Sequence, residues 1–172
     1  RTFNIEKLWG KVYFVLEGVS SCAFLYINDK YVGFTQGSHL QAEFDITEYV
    51  HEGSNDITVN VLKWCCGSYL EDQDFFRFNG IFRDVYLLSR PKGHIRDINI
   101  TTDDNHINVV FEGSAQISLL DAEGQLLQKT SAKNAAKFIV KNPVKWNAEK
   151  PYLYELLFEY EGEVISQKVG FV

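Results

Sequence analysis

The stretch GSYLEDQDFFRFNGIFRDVYLL, residues 67–88, holds the side chains of this protein best suited to chemistry. Glu71, Asp72, Asp74 and Asp84 stand there among aromatic and aliphatic residues. Asp72 and Asp74 alternate, so in an extended chain they share one face, about 6.6 Å apart at roughly 3.3 Å per residue. That separation falls near the carboxylate spacing of an inverting glycosidase, yet two acids on one face of one strand cannot flank a scissile bond from opposite sides. Carboxylates beside backbone and amide oxygens are instead hard ligands for sodium, calcium or magnesium, or acceptors for the hydroxyls of a sugar. Tyr69, Phe75, Phe76 and Phe78 would restrict water around such contacts. An exposed acidic loop whose aromatics fill the core beneath it satisfies the same pattern.

The elements that must position these groups are strands. Apolar residues recur with period two or in short dense runs, and seldom at helical spacing. KVYFVLEGV, CAFLYIND, YVGFTQG, AEFDITEYV and DITVNVLKW are strand-sized, rich in Val, Ile, Phe and Tyr, and bounded by turn formers. RTFNIEKLW also alternates, and GIFRDVYLLS reads as one more strand. Asn28-Asp29 predicts a tight hairpin, because both residues tolerate positive φ. Pro91-Lys92-Gly93 breaks the pattern as a linker. Beyond it HIRDINIT, HINVVFEG, AQISLLD, QLLQKTS, KFIVKN, YLYELLFEYE and EVISQKVGF predict seven strands, with hairpin turns at Asp121–Gly124 and Glu161-Gly162. The spacing matches an immunoglobulin-like sandwich. The first half, with about seven longer strands, matches part of a jelly roll. The expected fold class is therefore all-β, an incomplete jelly-roll sandwich over 1–90 followed by an immunoglobulin-like β-sandwich over 91–172.

Bulk properties exclude several functions. Seventeen basic against 23 acidic residues give a net charge of −6 with no Lys/Arg cluster, which argues against nucleic acid and anionic membrane as partners. No apolar run approaches the roughly 18 residues that span a bilayer. A soluble protein is expected, with a cytoplasmic location favoured. The chain opens on Arg1 in mid-strand, which reads as an excised piece whose true N-terminus is not present. Cys22, Cys65 and Cys66 lack zinc-site spacing and read as free, partly buried thiols.

The acidic stretch resembles the segment Y-L-E-D-Q-D-x-W-x-x-x-G-I-F-R-D-V of β-galactosidases in glycoside hydrolase family 2. Upstream, LEGVSSCAFLYINDKYVGFTQGSHLQAEFDITEYVHEGSNDITVNVLKW keeps that family's run from hairpin to G-S-x-x-x-x-E-F-D-I. Downstream, NPVKWNAEKPYLYELLFEY is similar to N-P-x-x-W-x-A-E-x-P-x-L-Y, and VGFV to a closing V-G-F-R. The resemblance covers nearly all of the chain. It implies a galactose-binding-like jelly roll and an immunoglobulin-like domain that precede a TIM barrel holding both catalytic glutamates of a retaining mechanism. It thus implies no catalytic residue in this chain, which alone is expected to be inactive. Its partners would be the β-galactoside substrate, reached through the parent's active site, its own barrel, and further copies in a homo-oligomer.

The resemblance places Asp74 at the edge of the active site, binding a sodium ion and a galactose hydroxyl. Glu71, Asp72 and Gln73 would brace their loop through hydrogen bonds to backbone amides. Arg83 and Asp84 would form an interdomain or barrel-facing pair, and Trp64 and Trp146 would pack in the core. Two departures stand out. Where the family often has W-S-D-G, this chain has Trp64-Cys65-Cys66-Gly67, so magnesium remains possible in the parent but its site is not carried over to Cys66. Phe76 replaces the family's tryptophan, which leaves a β-glucuronidase-type parent as an alternative. A free-standing carbohydrate-binding module is another.

Overall fold

A computed structural model of the protein describes residues 1–71, 74, 76 and 78–172. The chain divides into two compact units, Arg1–Lys92 and Gly93–Val172. Among the described residues both are built of strands, with a single helical turn in the first.

In order, the first unit contains β1 (Thr2–Ile5), β2 (Lys11–Leu16), β3 (Val19–Ser20), β4 (Cys22–Ile27), β5 (Lys30–Gln36), β6 (Ala42–Asp45), β7 (Gly53–Leu62), α1 (Gly67–Leu70), β8 (Gly80–Ile81) and β9 (Val85–Arg90). One antiparallel sheet has the order β1-β7-β4-β5, a second β6-β2-β9, and β3 pairs with β8. In β4 the alternation decides the faces: Ala23, Leu25 and Ile27 turn inward to meet Val12, Phe14 and Leu16 of β2. β2 is buried along nearly its whole length. Asn28 and Asp29 have φ of 50° and 63°, as the hairpin between β4 and β5 requires. The Asn28 side chain also ties that hairpin to distant backbone, donating to the Tyr49 carbonyl at 2.9 Å and accepting from the Asp56 amide at 2.9 Å.

Two expectations for this unit need correction. AEFDITEYV is a strand only through Asp45, because the Asp45 carboxylate accepts from the Thr47 amide at 3.0 Å and turns the chain. GIFRDVYLLS is two strands, β8 and β9, separated by Phe82–Asp84. There the chain leaves β3 for β2, held by Phe82 N donating to Gly18 O at 3.2 Å and Glu17 N to Asp84 O at 3.0 Å. A Cβ on Gly18 would lie 3.0 Å from Phe82 Cζ and 2.9 Å from Arg83 Cδ, so a larger residue there would displace those side chains.

The second unit has β10 (Ile98–Asp103), β11 (His106–Leu120), β12 (Leu126–Ile139), β13 (Tyr154–Tyr160) and β14 (Glu163–Val169). These are five strands where seven were expected, and the longest of the molecule lie here rather than in the first half. HINVVFEG and AQISLLD form one 15-residue strand, and QLLQKTS with KFIVKN one of 14. The pair does not separate because it bends instead. Its register shifts between Val110 and Ser114, with Gly113 at φ 101°, Asn134 at φ 64°, and Gly113 N donating to Asn134 Oδ1 at 3.1 Å. β12 follows one edge of β11 throughout, while β10 pairs with its first half and β13 with its second. Ile107, Val109 and Phe111 from the first half and Ile117 and Leu119 from the second share one core with Leu156 and Phe158. The turn to β12 is fastened by Asp121 Oδ1, which accepts from Glu123 N at 3.0 Å and Gln125 N at 2.7 Å. Glu161 and Gly162 make the β13–β14 turn with φ of 46° and 83°.

Candidate functional site

Chain leaving β7 at Leu62 passes Trp64, Cys65 and Cys66 and enters α1. A four-residue turn carries no period that a sequence pattern could reveal. It is fastened locally: Cys65 N donates to Ser68 Oγ and Ser68 N to Cys65 O, both at 3.0 Å, and Glu71 N donates to Gly67 O at 2.9 Å. This delivers Glu71 opposite the turn that follows β5. There Ser38 N donates to Glu71 Oε1 at 2.9 Å and Ser38 Oγ to Oε2 at 2.6 Å. A carboxylate accepting two such bonds is a strong local anchor. Glu71 therefore braces backbone as its motif implied. Its partner Ser38 was not foreseen, although it is the serine of the G-S pair that opens the upstream motif.

Asp74, three residues beyond that anchor, is exposed. Asp72, Gln73 and Phe75 lie outside the described residues, and with them the expectations that fell on Asp72 and Gln73. The described aromatics of the stretch do not fill a core: Tyr69 is 82% exposed and Phe76 83%. Phe78 stacks on Phe82 with centroids 4.7 Å apart, and both rings neighbour His39. Arg83 lies over Phe82 and donates to the His39 carbonyl at 3.1 Å, a use within the first unit. Asp84 contributes its carbonyl to Glu17. The tryptophans correct the expectation of core packing, since Trp64 is 58% and Trp146 40% exposed. Trp64 follows the outward face of β7 that Asp56, Thr58, Asn60 and Leu62 share, so strand alternation accounts for its exposure.

The three cysteines are free. Burial pushes the Cys22 thiol above its ordinary pKa, and a hydrogen bond with Cys65 adds to the effect. Cys66 Sγ lies 3.6 Å from Gln36 Oε1, a soft sulfur where a magnesium site would need hard oxygen. Among the described residues no group of three His, Cys, Asp or Glu side chains could hold a metal ion. A carboxylate such as that of Asp74 offers hard oxygen of the kind that suits sodium. An exposed carboxylate can bind and orient a hydroxylated ligand or share a cation.

No helix among the described residues is long and apolar enough to cross a membrane.

Residues 1–91 match the family model described as glycosyl hydrolases family 2, sugar binding domain, and residues 93–171 the model described as glycosyl hydrolases family 2. A β-galactosidase of Actinobacillus pleuropneumoniae is 42% identical over 181 residues, covering 99% of this chain and 18% of that protein. One from Staphylococcus xylosus is 42% identical over 165 residues, covering 90% and 17%. The chain thus spans about a fifth of the length of the relatives it matches. Among solved structures, a β-glucuronidase from an uncultured Clostridium sp. superposes with a TM-score of 0.79 at 28% identity, over 99% of this chain and 34% of that one. Ruminococcus gnavus β-glucuronidase gives 0.78 at 19% identity, over 99% and 34%, a likeness of fold. With both units matched by its family models and β-galactosidase relatives along nearly its whole length, this chain belongs to glycosyl hydrolase family 2.

Proposed function

We propose that the chain is the non-catalytic N-terminal region of a β-galactosidase that hydrolyses terminal β-D-galactosides with retention, and that it shapes the active-site mouth. In this reading Asp74 binds a sodium ion and a galactose hydroxyl. The observation that carries it is the 42% identity to a β-galactosidase across 99% of the chain. The Glu71–Ser38 anchor supports the role given to Asp74, because it fixes the backbone three residues before an exposed carboxylate. The contribution is positional: holding one hydroxyl limits the ring's orientations before bond cleavage. A bound sodium would supply a positive centre for that hydroxyl's oxygen. The acid/base and nucleophilic glutamates belong to the parent's TIM barrel, so the isolated chain hydrolyses nothing. The parent is a homo-oligomer in the same reading.

Asp74→Asn in the full-length parent tests the reading. We expect roughly a tenfold or greater loss of kcat/KM on an aryl β-galactoside, together with loss of sodium dependence. Unchanged turnover and unchanged sodium response would remove Asp74 from the site. A β-glucuronidase-type parent is a second reading, favoured by the fold shared with β-glucuronidases at 28% identity or less. Preference of the wild-type parent for β-glucuronide over β-galactoside would select it. A free-standing carbohydrate-binding module would instead show saturable binding of lactose by the isolated chain.

A further inference from the structure

One turn of the first unit reaches both ends of the segment that carries Asp74. It joins β5 to β6, with Gly37 at φ 107° and Leu40 N donating to Gly37 O at 3.0 Å. Ser38 of this turn holds Glu71 through its amide and its hydroxyl. The next residue, His39, meets the far end. Its ring centroid lies 6.3 Å from that of Phe78 and 5.2 Å from that of Phe82, and its carbonyl accepts from Arg83 Nη1 at 3.1 Å. Phe82 is itself fixed to the sheet. Its amide donates to Gly18 O at 3.2 Å, and the Arg83 guanidinium lies over its ring, 5.5 Å from the centroid.

Asp74 stands three residues after Glu71 and four before Phe78. Asp74 and Phe76, the described residues between the two contacts, are exposed, so core packing does not hold them. Alongside lies a cavity of about 150 Å³, lined in part by Glu71, Phe76 and Phe78, with the buried Ser21, Ser38 and Ser68 as its floor. Side chains that border solvent and a void take their place from the ends of their segment. A segment pinned at one end swings about the pin, whereas one pinned at both ends keeps few conformations. The two pins differ in strength. At Ser38 a carboxylate accepts two hydrogen bonds, while at His39 rings meet at half-buried and exposed positions. The weaker pin therefore decides how far Asp74 can wander.

We propose that His39 is a positioning residue for the galactose site: its ring pins the far end of the segment and so sets where the Asp74 carboxylate stands. The proposal rests on the reading of Asp74 as a galactose-binding residue. The test is a double-mutant cycle in the full-length parent, read as kcat/KM on an aryl β-galactoside and as the sodium concentration that gives half the maximal rate. His39→Ala should lower kcat/KM about fivefold and raise that sodium concentration about threefold, and His39→Phe, which keeps the ring contact, should restore most of both. In the Asp74→Asn background His39→Ala should cost less than about twofold further, because the group it positions is gone. Phe78→Ala removes the same contact from an exposed position and should repeat the pattern. A wild-type kcat/KM and sodium response in both His39→Ala and Phe78→Ala would overturn the proposal, as would an undiminished loss from His39→Ala on top of Asp74→Asn. Either result leaves the reading of Asp74 standing. Unimpaired turnover in Asp74→Asn alone would remove that reading, and the proposal with it.

Discussion

The two units enclose apolar cores between antiparallel strands by different means. Among the described residues the first uses nine strands, none longer than 10 residues, and joins them by loops whose polar side chains reach far along the chain: Asn28 to Asp56, Ser38 to Glu71, Ser21 to Ser68. The second uses five strands, two of them 15 and 14 residues long, and puts a bulge where the first would put a loop. Buried polar residues follow the same division. Ser20, Ser21, Ser38, Asn55 and Ser68 lie in the first unit and Ser118 in the second. A loop-rich sandwich has to satisfy buried polar groups, and the devices that do so also form the floor and anchors of a site. A bent hairpin satisfies its backbone by pairing and leaves little to bind with.

The comparison breaks most visibly if the cores are not separate. Phe158 is fully buried in the second unit, its ring 6.0 Å from Phe111. Phe158→Ala should cost about 3–5 kcal/mol. In calorimetry the loss should fall on the second unit's transition and leave the first in place; equal depression of both would refute independent units. Ser38→Ala sharpens the other side. It removes one hydrogen bond to a carboxylate and should cost the first unit roughly 1–2 kcal/mol in urea unfolding. If the anchor positions Asp74, the same variant lowers galactoside kcat/KM in the parent, and an unaltered value would reduce Glu71 to a purely local brace.

The smallest effect concerns pH. Burial alone would raise the Asp45 pKa, but hydrogen bonds from Lys11 at 2.7 Å and from Thr47 outweigh it, and the net pKa is lowered. A depressed carboxylate contributes stability that is present above its unfolded value near about 3.9 and is lost as pH falls through the folded value. Both partners are substantially exposed, so the contribution is screened and small. Asp45→Asn should flatten the acid limb of the first unit's stability profile, and an unchanged limb would assign that slope to other acids.

Much of this is legible in the sequence. Turns were read correctly where chemistry is local: Asn28-Asp29, Asp121–Gly124 and Glu161-Gly162 each supply their own positive φ or side-chain cap. Strand identity in the first half followed from alternation. What failed was non-local. Nothing in HINVVFEGSAQISLLD says whether Gly113 ends a strand or bends it, because the answer depends on Asn134 across the pair. GIFRDVYLLS divides because its partner does: β2 ends at Leu16 and β3 starts at Val19. Trp64 and Trp146 occupy strand and turn positions where core packing is the expectation, and both are exposed. At the site, motif chemistry singled out Glu71, while Ser38 and the serines of the cavity floor lie too far along the chain to be read with it.

One consequence of the bent hairpin remains. Among the described residues β12 pairs only with β11, so its other side is a 14-residue strand edge, a length that would template a second chain. The kink that lets the hairpin serve one core also spoils that template. A foreign strand laid along β12 would have to follow the positive-φ turn at Asn134 and strip water from the exposed Lys129, Lys133 and Lys137. The bulge that shapes the sandwich thereby also guards it against aggregation.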